Sequence, residues 1–391
     1  MIMEKRVYFD NSATTPLDPR VAEAMLPYLS GTFGNPSSLY AEGREARQAM
    51  ETARAEVAAL FDAEPDEIVF TGSGTEADNL ALKGVVCGRD GAIGHVITSA
   101  VEHPAVLQTC RHLEDMCVHV TYLPVNSEGF VSPEDLERAF RPDTKLVSIM
   151  AANNVVGTLQ PIADLATIAK RRGVLFHTDA VQAAGKIPLS LKTLGADLIS
   201  LSAHKLHGPK GVGALVVRRG VRLFPIVHGG GQEKGLRSAT ENVGGIVGFG
   251  VAARLAREEM AEEAARLVNQ REKLAEGILA ALPNAYLIGH RYKRLPGHLS
   301  IGLAGQEQES IRLMLALDAA GFAVSTGSAC SASNAAKPSY VLEAMGFDPV
   351  RARGLIRITL GRFNTEAEVE RFLAFLPVAA GTLGKISTRR S

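Results

Sequence analysis

Short apolar runs that end in small or polar residues recur through roughly the first two-thirds of this chain, with helical patterns between them. The runs cover residues 68–70, 95–97, 146–149, 174–176 and 198–200. Such alternation predicts an α/β fold, a mostly parallel sheet covered by helices. Ser132, Pro133, Glu134 and Asp135 read as an N-cap, a first-turn proline and acids suited to the helix dipole. The pattern over 162–172 ends in basic residues and Gly173, a helix stop.

Near Asn242 the character changes to a long helical pattern reaching about residue 282, rich in Glu, Arg and Ala. Beyond it lie strand patterns at 285–288, 299–303, 323–326 and 356–359, and helical patterns at 307–320 and 366–376. At 391 residues the chain is long enough for a large domain over 1–260 and a smaller α+β domain over 261–391. The charge balance, 42 basic against 42 acidic residues, argues against nucleic acid or a membrane surface as main partner. No run of about 18 apolar residues is present, and no apolar stretch follows Glu4, Lys5 and Arg6, so a cytoplasmic protein is expected. The four cysteines form no C-x-x-C pair, which disfavours a disulfide framework or structural zinc.

Four segments could carry chemistry. Thr71-Gly72-Ser73-Gly74-Thr75-Glu76-Ala77 follows a strand and opens a helix, so its backbone N–H groups and a hydroxyl could close on an anion. The same letters fit a dinucleotide fingerprint or a plain tight turn. Asp179 follows a strand, where it could pair with a pyridinium nitrogen or merely cap a helix. Lys205 ends Ser200-Leu201-Ser202-Ala203-His204-Lys205, a setting suited to covalent capture of an aldehyde cofactor once the amine is deprotonated. His204 and His207 have no acidic or cysteine neighbour in sequence, so no metal is expected. Cys330 sits among small polar residues and is a candidate nucleophile, whereas Cys87, Cys110 and Cys117 read as buried small hydrophobes.

Taken in order, these segments resemble the cysteine desulfurases of the class V aminotransferase group, fold-type I pyridoxal-phosphate (PLP) enzymes. The resemblance runs from Tyr8-Phe9-Asp10-Asn11-Ser12-Ala13-Thr14-Thr15-Pro16 through Glu102-His103-Pro104 and Asp179-Ala180-Val181-Gln182 to Ser202-Ala203-His204-Lys205. It continues with Gly229-Gly230-Gly231-Gln232-Glu233, Gly327-Ser328-Ala329-Cys330 and Ile356-Arg357-Ile358-Thr359. It implies a seven-stranded, mostly parallel sheet in the large domain, with residues 1–15 packed on the small one. It also implies a homodimer that uses PLP to convert L-cysteine to L-alanine. Sulfur would pass through a persulfide on Cys330 to an acceptor such as an iron–sulfur scaffold protein. A selenocysteine lyase of the same class is the alternative; an idle scaffold homologue is disfavoured because both Lys205 and Cys330 are present.

By the same resemblance Lys205 holds the cofactor and moves protons, Cys330 is the nucleophile, and His103 stacks on the pyridine ring. Asp179 faces the ring nitrogen and Gln182 the phenolic oxygen. Gly74, Thr75, Ser202 and His204 surround the phosphate, Thr240 reaches the phosphate of a partner subunit, and Asn154 and Arg357 take the substrate carboxylate. Two positions depart from the family pattern: Val155 stands where an acid is usual, and Ala239 where glycine is usual. An acid at 155 is expected to lie near the substrate carboxylate and tune binding only, so valine is expected to leave the chemistry intact.

Overall fold

The computed structural model describes residues 6–87, 94–326 and 337–387. Its strands are β1 (Val7–Tyr8), β2 (Ile68–Thr71), β3 (His95–Ser99), β4 (His119–Leu123), β5 (Thr144–Ser148) and β6 (Leu175–Asp179). They continue with β7 (Leu198–Ser202), β8 (Gly213–Val217), β9 (Ala285–Leu287), β10 (His298–Leu303), β11 (Phe322–Ala323) and β12 (Ile356–Thr359). Seven of them form one sheet in the order β2-β8-β7-β6-β5-β3-β4. β8 runs antiparallel to both neighbours, and the remaining adjacent pairs are parallel. Every residue of β7 and β8 is buried, as is every residue of β2 at one edge, whereas β4 at the other edge starts with exposed His119.

Helices cover this sheet. Ser132 caps the helix Pro133–Ala139 as its sequence predicts, its Oγ accepting from the N–H groups of Glu134 and Asp135. The 39-residue helix Val243–Ala281, capped by Asn242 onto Gly245 N, enters two separate apolar cores. Ile246, Phe249, Ala252 and Ala256 join the core beneath the large sheet, and Leu267, Leu274 and Ile278 join a second one. That second core lies against the antiparallel sheet β12-β10-β9. It also contains Val7 and Phe9, because β1 pairs with β11 rather than with the large sheet.

Three local expectations are corrected. The last helix spans Glu366–Ser387 and continues through Pro377. Buried Val369, Phe372, Leu376 and Ala380 keep one helical stripe across the proline, and that packing offsets the lost backbone bond. Cys87 is exposed, because the helix Gly74–Val86 ends just before it, and Cys117 is exposed in a left-handed turn with φ 65°. Only Cys110 of the three is buried.

Candidate active site

A cleft of about 290 Å³ opens beyond the carboxyl ends of the strands. At the end of β2, Ser73 caps the helix Gly74–Val86 by accepting from Glu76 N at 3.1 Å. Gly74 is required there: a Cβ would stand 2.7 Å from Val181 Cγ2 and 3.2 Å from Ser202 Cβ. Packed that closely, the helix N-terminus is brought against the ends of β6 and β7. Asp179 closes β6, Ser202 closes β7, and a short turn (Ala203–Lys205) presents His204 and Lys205. His103 caps the helix Pro104–Asp115, its Nδ1 accepting from Ala105 N at 3.1 Å, which fixes the ring.

Gly74, Thr75, His103, Asn154, Asp179, Gln182, Ser202, His204, Lys205 and Arg357 all line this one cleft. Thr240 does not; it is exposed on the segment that follows Arg237. Cys330 lies outside the described residues. The described chain on each side of it is fastened at the cleft, however. Ser325 N donates to Arg357 O at 3.1 Å, and the Tyr340 hydroxyl donates to the carbonyl of Glu102, next to His103, at 2.7 Å.

The N-terminal segment supplies contacts to which sequence reasoning gave no role. Lys205 Nζ donates to the carbonyls of Ser12 and Ala13, the latter at 2.7 Å. His204 Nδ1 meets Thr14 Oγ1 at 3.0 Å, while His207 Nδ1 turns away to the carbonyl of Pro16. The signal was present in the ordered match over residues 8–16, but nothing local says that backbone carbonyls there would seat a lysine 192 residues beyond Ala13. Val155 corrects a further expectation. Its side chain is 2% exposed and packs among Val101, Val156, Ile288, Val341 and Leu342, away from the cleft that Asn154 lines.

Burial dominates the electrostatics. Desolvation pushes the Glu102 carboxyl up to about 8, although Ser99 Oγ and Met150 N both donate to it. Asp78 is likewise raised by burial and by the charge of Asp179. Asp179 is raised by burial too, with the neighbouring His103 and Lys205 opposing that shift. His204 is pushed down to about 4 by burial and then by Lys205, so its ring is neutral at pH 7. Two polar atoms on the cleft walls, Asn154 Oδ1 and Arg357 Nε, are buried without a hydrogen-bond partner among the described residues, so both are open to a bound group.

A second loop is tied to the turn after β2. Arg54 makes a buried bidentate pair with Glu233 at 2.7 and 2.8 Å, and Glu233 also accepts from Phe70 N at 2.8 Å in β2. Farther along, Arg237 Nε donates to Glu76 at 2.7 Å, and Glu76 in turn accepts from Gly72 N at 2.8 Å. The segment carrying Ala239 and Thr240 is thereby held beside the turn at Gly72–Thr75.

The aminotransferase class-V family model matches residues 7–372. This chain belongs to that family. Among the relatives of this class-V protein, "Cysteine desulfurase IscS" of Dictyoglomus turgidum is 48% identical over 374 residues, 96% of this chain and 94% of that one. The protein of the same name from Methanosarcina thermophila is 47% identical, covering 98% of this chain and 94% of its own length. A solved "NifS-like protein" superposes with TM-score 0.90 at 43% identity, covering 96% of this chain and all (100%) of that one. The structure titled "SspA in complex with cysteine" gives 0.80 at 36% identity, covering 92% and 100%.

The cleft fits the PLP that this family implies. It combines a helix N-terminus with serine, threonine and histidine for a phosphate, a buried acid for a ring nitrogen, and a lysine for an aldehyde.

Proposed function

We propose that this class-V protein is a PLP-dependent cysteine desulfurase that releases alanine and carries the sulfur on Cys330. The observation that carries the reading is the convergence of the Lys205 amine, the Asp179 carboxylate and the Arg357 guanidinium on one cleft. The alternative of a selenocysteine lyase is not favoured, since the relatives named above are desulfurases.

In this reading the turn at Gly74 and Thr75, with Ser202 and His204, holds the phosphate. His103 covers the ring face, Asp179 keeps the ring nitrogen protonated, and Gln182 donates to the phenolic oxygen. Bound there, PLP supplies an electron-withdrawing ring that makes the α-proton of an amino acid removable. Asn154 and Arg357 orient the substrate by its carboxylate, a role for which a planar guanidinium suits. Lys205, once its amine is free, takes the α-proton and returns protons to the substrate carbon skeleton. Its seat on the carbonyls of Ser12 and Ala13 places that amine on the cleft wall. Cys330 thiolate attacks the substrate sulfur, the substrate carbon–sulfur bond breaks, and that carbon takes a proton to become the methyl group of alanine. The sulfur remains as a persulfide on Cys330. Anchorage of the flanking chain at Arg357 and Glu102 supports this assignment.

The working unit we infer is a homodimer. Leu26, Leu29, Phe33, Leu39 and Tyr40 are all large apolar side chains at least 60% exposed, and Thr240 is exposed on a loop braced from within the subunit. Both features suit a second copy of the chain. The sulfur then passes to an acceptor protein, such as an iron–sulfur scaffold, in the cytoplasm. No helix among the described residues is long and apolar enough to cross a membrane. Division of the chain near residue 260 belongs to the same proposal and is supported by the two apolar cores.

The test is alanine release from cysteine together with the visible spectrum after PLP is added. Wild type should gain a visible band and release alanine. Lys205→Ala should do neither. Cys330→Ser should keep the band, lose alanine release, and show no added sulfur by mass spectrometry. A Lys205→Ala protein that turns over at the wild-type rate, or sulfur found on Cys87, Cys110 or Cys117, would defeat the assignment.

A further inference from the structure

The turn after β6 carries a second lysine that the chemistry above leaves unused. Ala184 N donates to Ala180 O at 2.8 Å and Lys186 N to Ala183 O at 3.0 Å, so the chain turns tightly there. Those turns bring the side chains of Gln182 and Lys186 together. Gly185 lets the turn press on the long helix: its φ is +69°, and a Cβ would stand 2.9 Å from Ala256 Cβ.

Lys186 Nζ donates to Gln182 Oε1 at 3.3 Å, and Gln182 Nε2 donates to the Ser12 carbonyl at 2.9 Å. That carbonyl is also one of the two on which Lys205 rests. Lys186 does not line the cleft. It lines a smaller cavity of about 30 Å³ behind it, and Ser12 and Lys205 line both. Lys186 thus reaches the site from the rear, through Gln182.

An amide side chain presents either a donor or an acceptor, depending on which end is turned inward. An ammonium group donates and cannot accept. Placed at one end of the amide, it selects the orientation in which the carbonyl faces the cation and the N–H groups face the opposite way. We propose that Lys186 is a positioning residue that keeps the Gln182 N–H groups turned toward the cleft, as donors to the phenolic oxygen of PLP. The inference rests on the cofactor reading given above. Burial is the main influence on the Lys186 ammonium; with Lys205 in the turn after β7 and Arg357 in β12 it pushes the group down to about 7, and only Glu263 on the long helix opposes the shift. The donor role therefore holds below about pH 7 and is lost as pH rises through it.

The experiment measures the PLP dissociation constant of the full-length protein and the pH midpoint of its visible band. The variants are Lys186→Met, Gln182→Leu, the double variant, Lys186→Arg and Lys186→Gln. Each of the first two should weaken PLP binding roughly five-fold, about what one hydrogen bond contributes. Both should move the midpoint in the same direction. The double variant should be no weaker than Gln182→Leu, because the two side chains act in series. Lys186→Arg, which only donates, should restore both readouts, whereas Lys186→Gln, which can also accept, should not. That pair carries the comparison if Lys186→Met does not fold.

Losses that multiply in the double variant would overturn the inference, since Lys186 would then act by charge and not through the amide. Wild-type binding and midpoint in Lys186→Met beside a weakened Gln182→Leu would overturn it while leaving the cofactor reading intact. Wild-type behaviour in Gln182→Leu would overturn both the inference and the role of Gln182 in that reading.

Discussion

Asp10 and Arg357, 347 residues apart, meet at 2.7 Å between a carboxylate oxygen and a guanidinium nitrogen. The Arg357 side chain is only 3% exposed, and its other terminal nitrogen donates to Asn154 O at 2.8 Å. With both terminal nitrogens engaged, the guanidinium plane is fixed before any substrate arrives. Asp10→Asn should therefore raise KM for cysteine roughly ten-fold and leave kcat within about two-fold. Steady-state alanine release measures the split. A fall in kcat at unchanged KM would place Asp10 in the chemical step instead.

Val155 occupies an apolar cluster, so a carboxylate introduced there is buried among hydrocarbon. Val155→Glu should lower stability by about 3 kcal/mol in urea unfolding. The wild-type chain should desulfurate cysteine with valine in place. An inactive wild type rescued by Val155→Glu would show instead that the departure matters and that cysteine is not the natural substrate.

Glu102 gives a pH dependence of definite sign. Its carboxyl is raised from 4.5 to about 8 in the folded protein, so the folded state holds a proton that the unfolded chain gives up. The corresponding stability is complete below about pH 4.5 and is lost as pH rises through 8. Glu102→Gln mimics the protonated acid and cannot ionise. Between pH 5 and 8, wild type should lose about 3 to 4 kcal/mol more than this variant. Parallel urea curves at the two pH values decide the matter, and equal losses would show that Glu102 is ionised when folded.

Ala239 has φ 154°, a region that favours glycine, and its side chain is exposed. Ala239→Gly should relieve strain and raise stability by about 1 kcal/mol, seen as a higher urea midpoint. A lower midpoint would mean that alanine's restraint on the unfolded chain outweighs the strain.

Much of this site could be read from the chain because its signals are local. Ser73, Asp179 and Lys205 each follow an apolar run, and the end of a parallel strand faces the cleft wherever the sheet is placed. What was not legible depends on partners distant in sequence. The side chain of Val155 follows one that lines the cleft, yet it turns into a cluster built by residues 341–355. Pro377 reads as a helix stop until the buried stripe on either side of it is known. The two residues of β1 are too few to show any period, and their partner in β11 lies more than 300 positions away. Lys186 gave no signal, since its meaning lies in an amide oxygen.

The order in which the chain is made bears on when it becomes reactive. Every strand of the seven-stranded sheet has been synthesised once residue 217 is in place. The carbonyls that seat Lys205 come from residues 12 and 13, made well before that sheet is complete. Yet that segment is held by Phe322 and Ala323 through β1 and by Thr359 O through Asn11 N. Residues 12–16 can already bond Gln182, His204 and His207, but the stretch just before them gains its anchors only after residue 359 is made. A chain released earlier can build the sheet while the seat of its reactive amine is held from one side only.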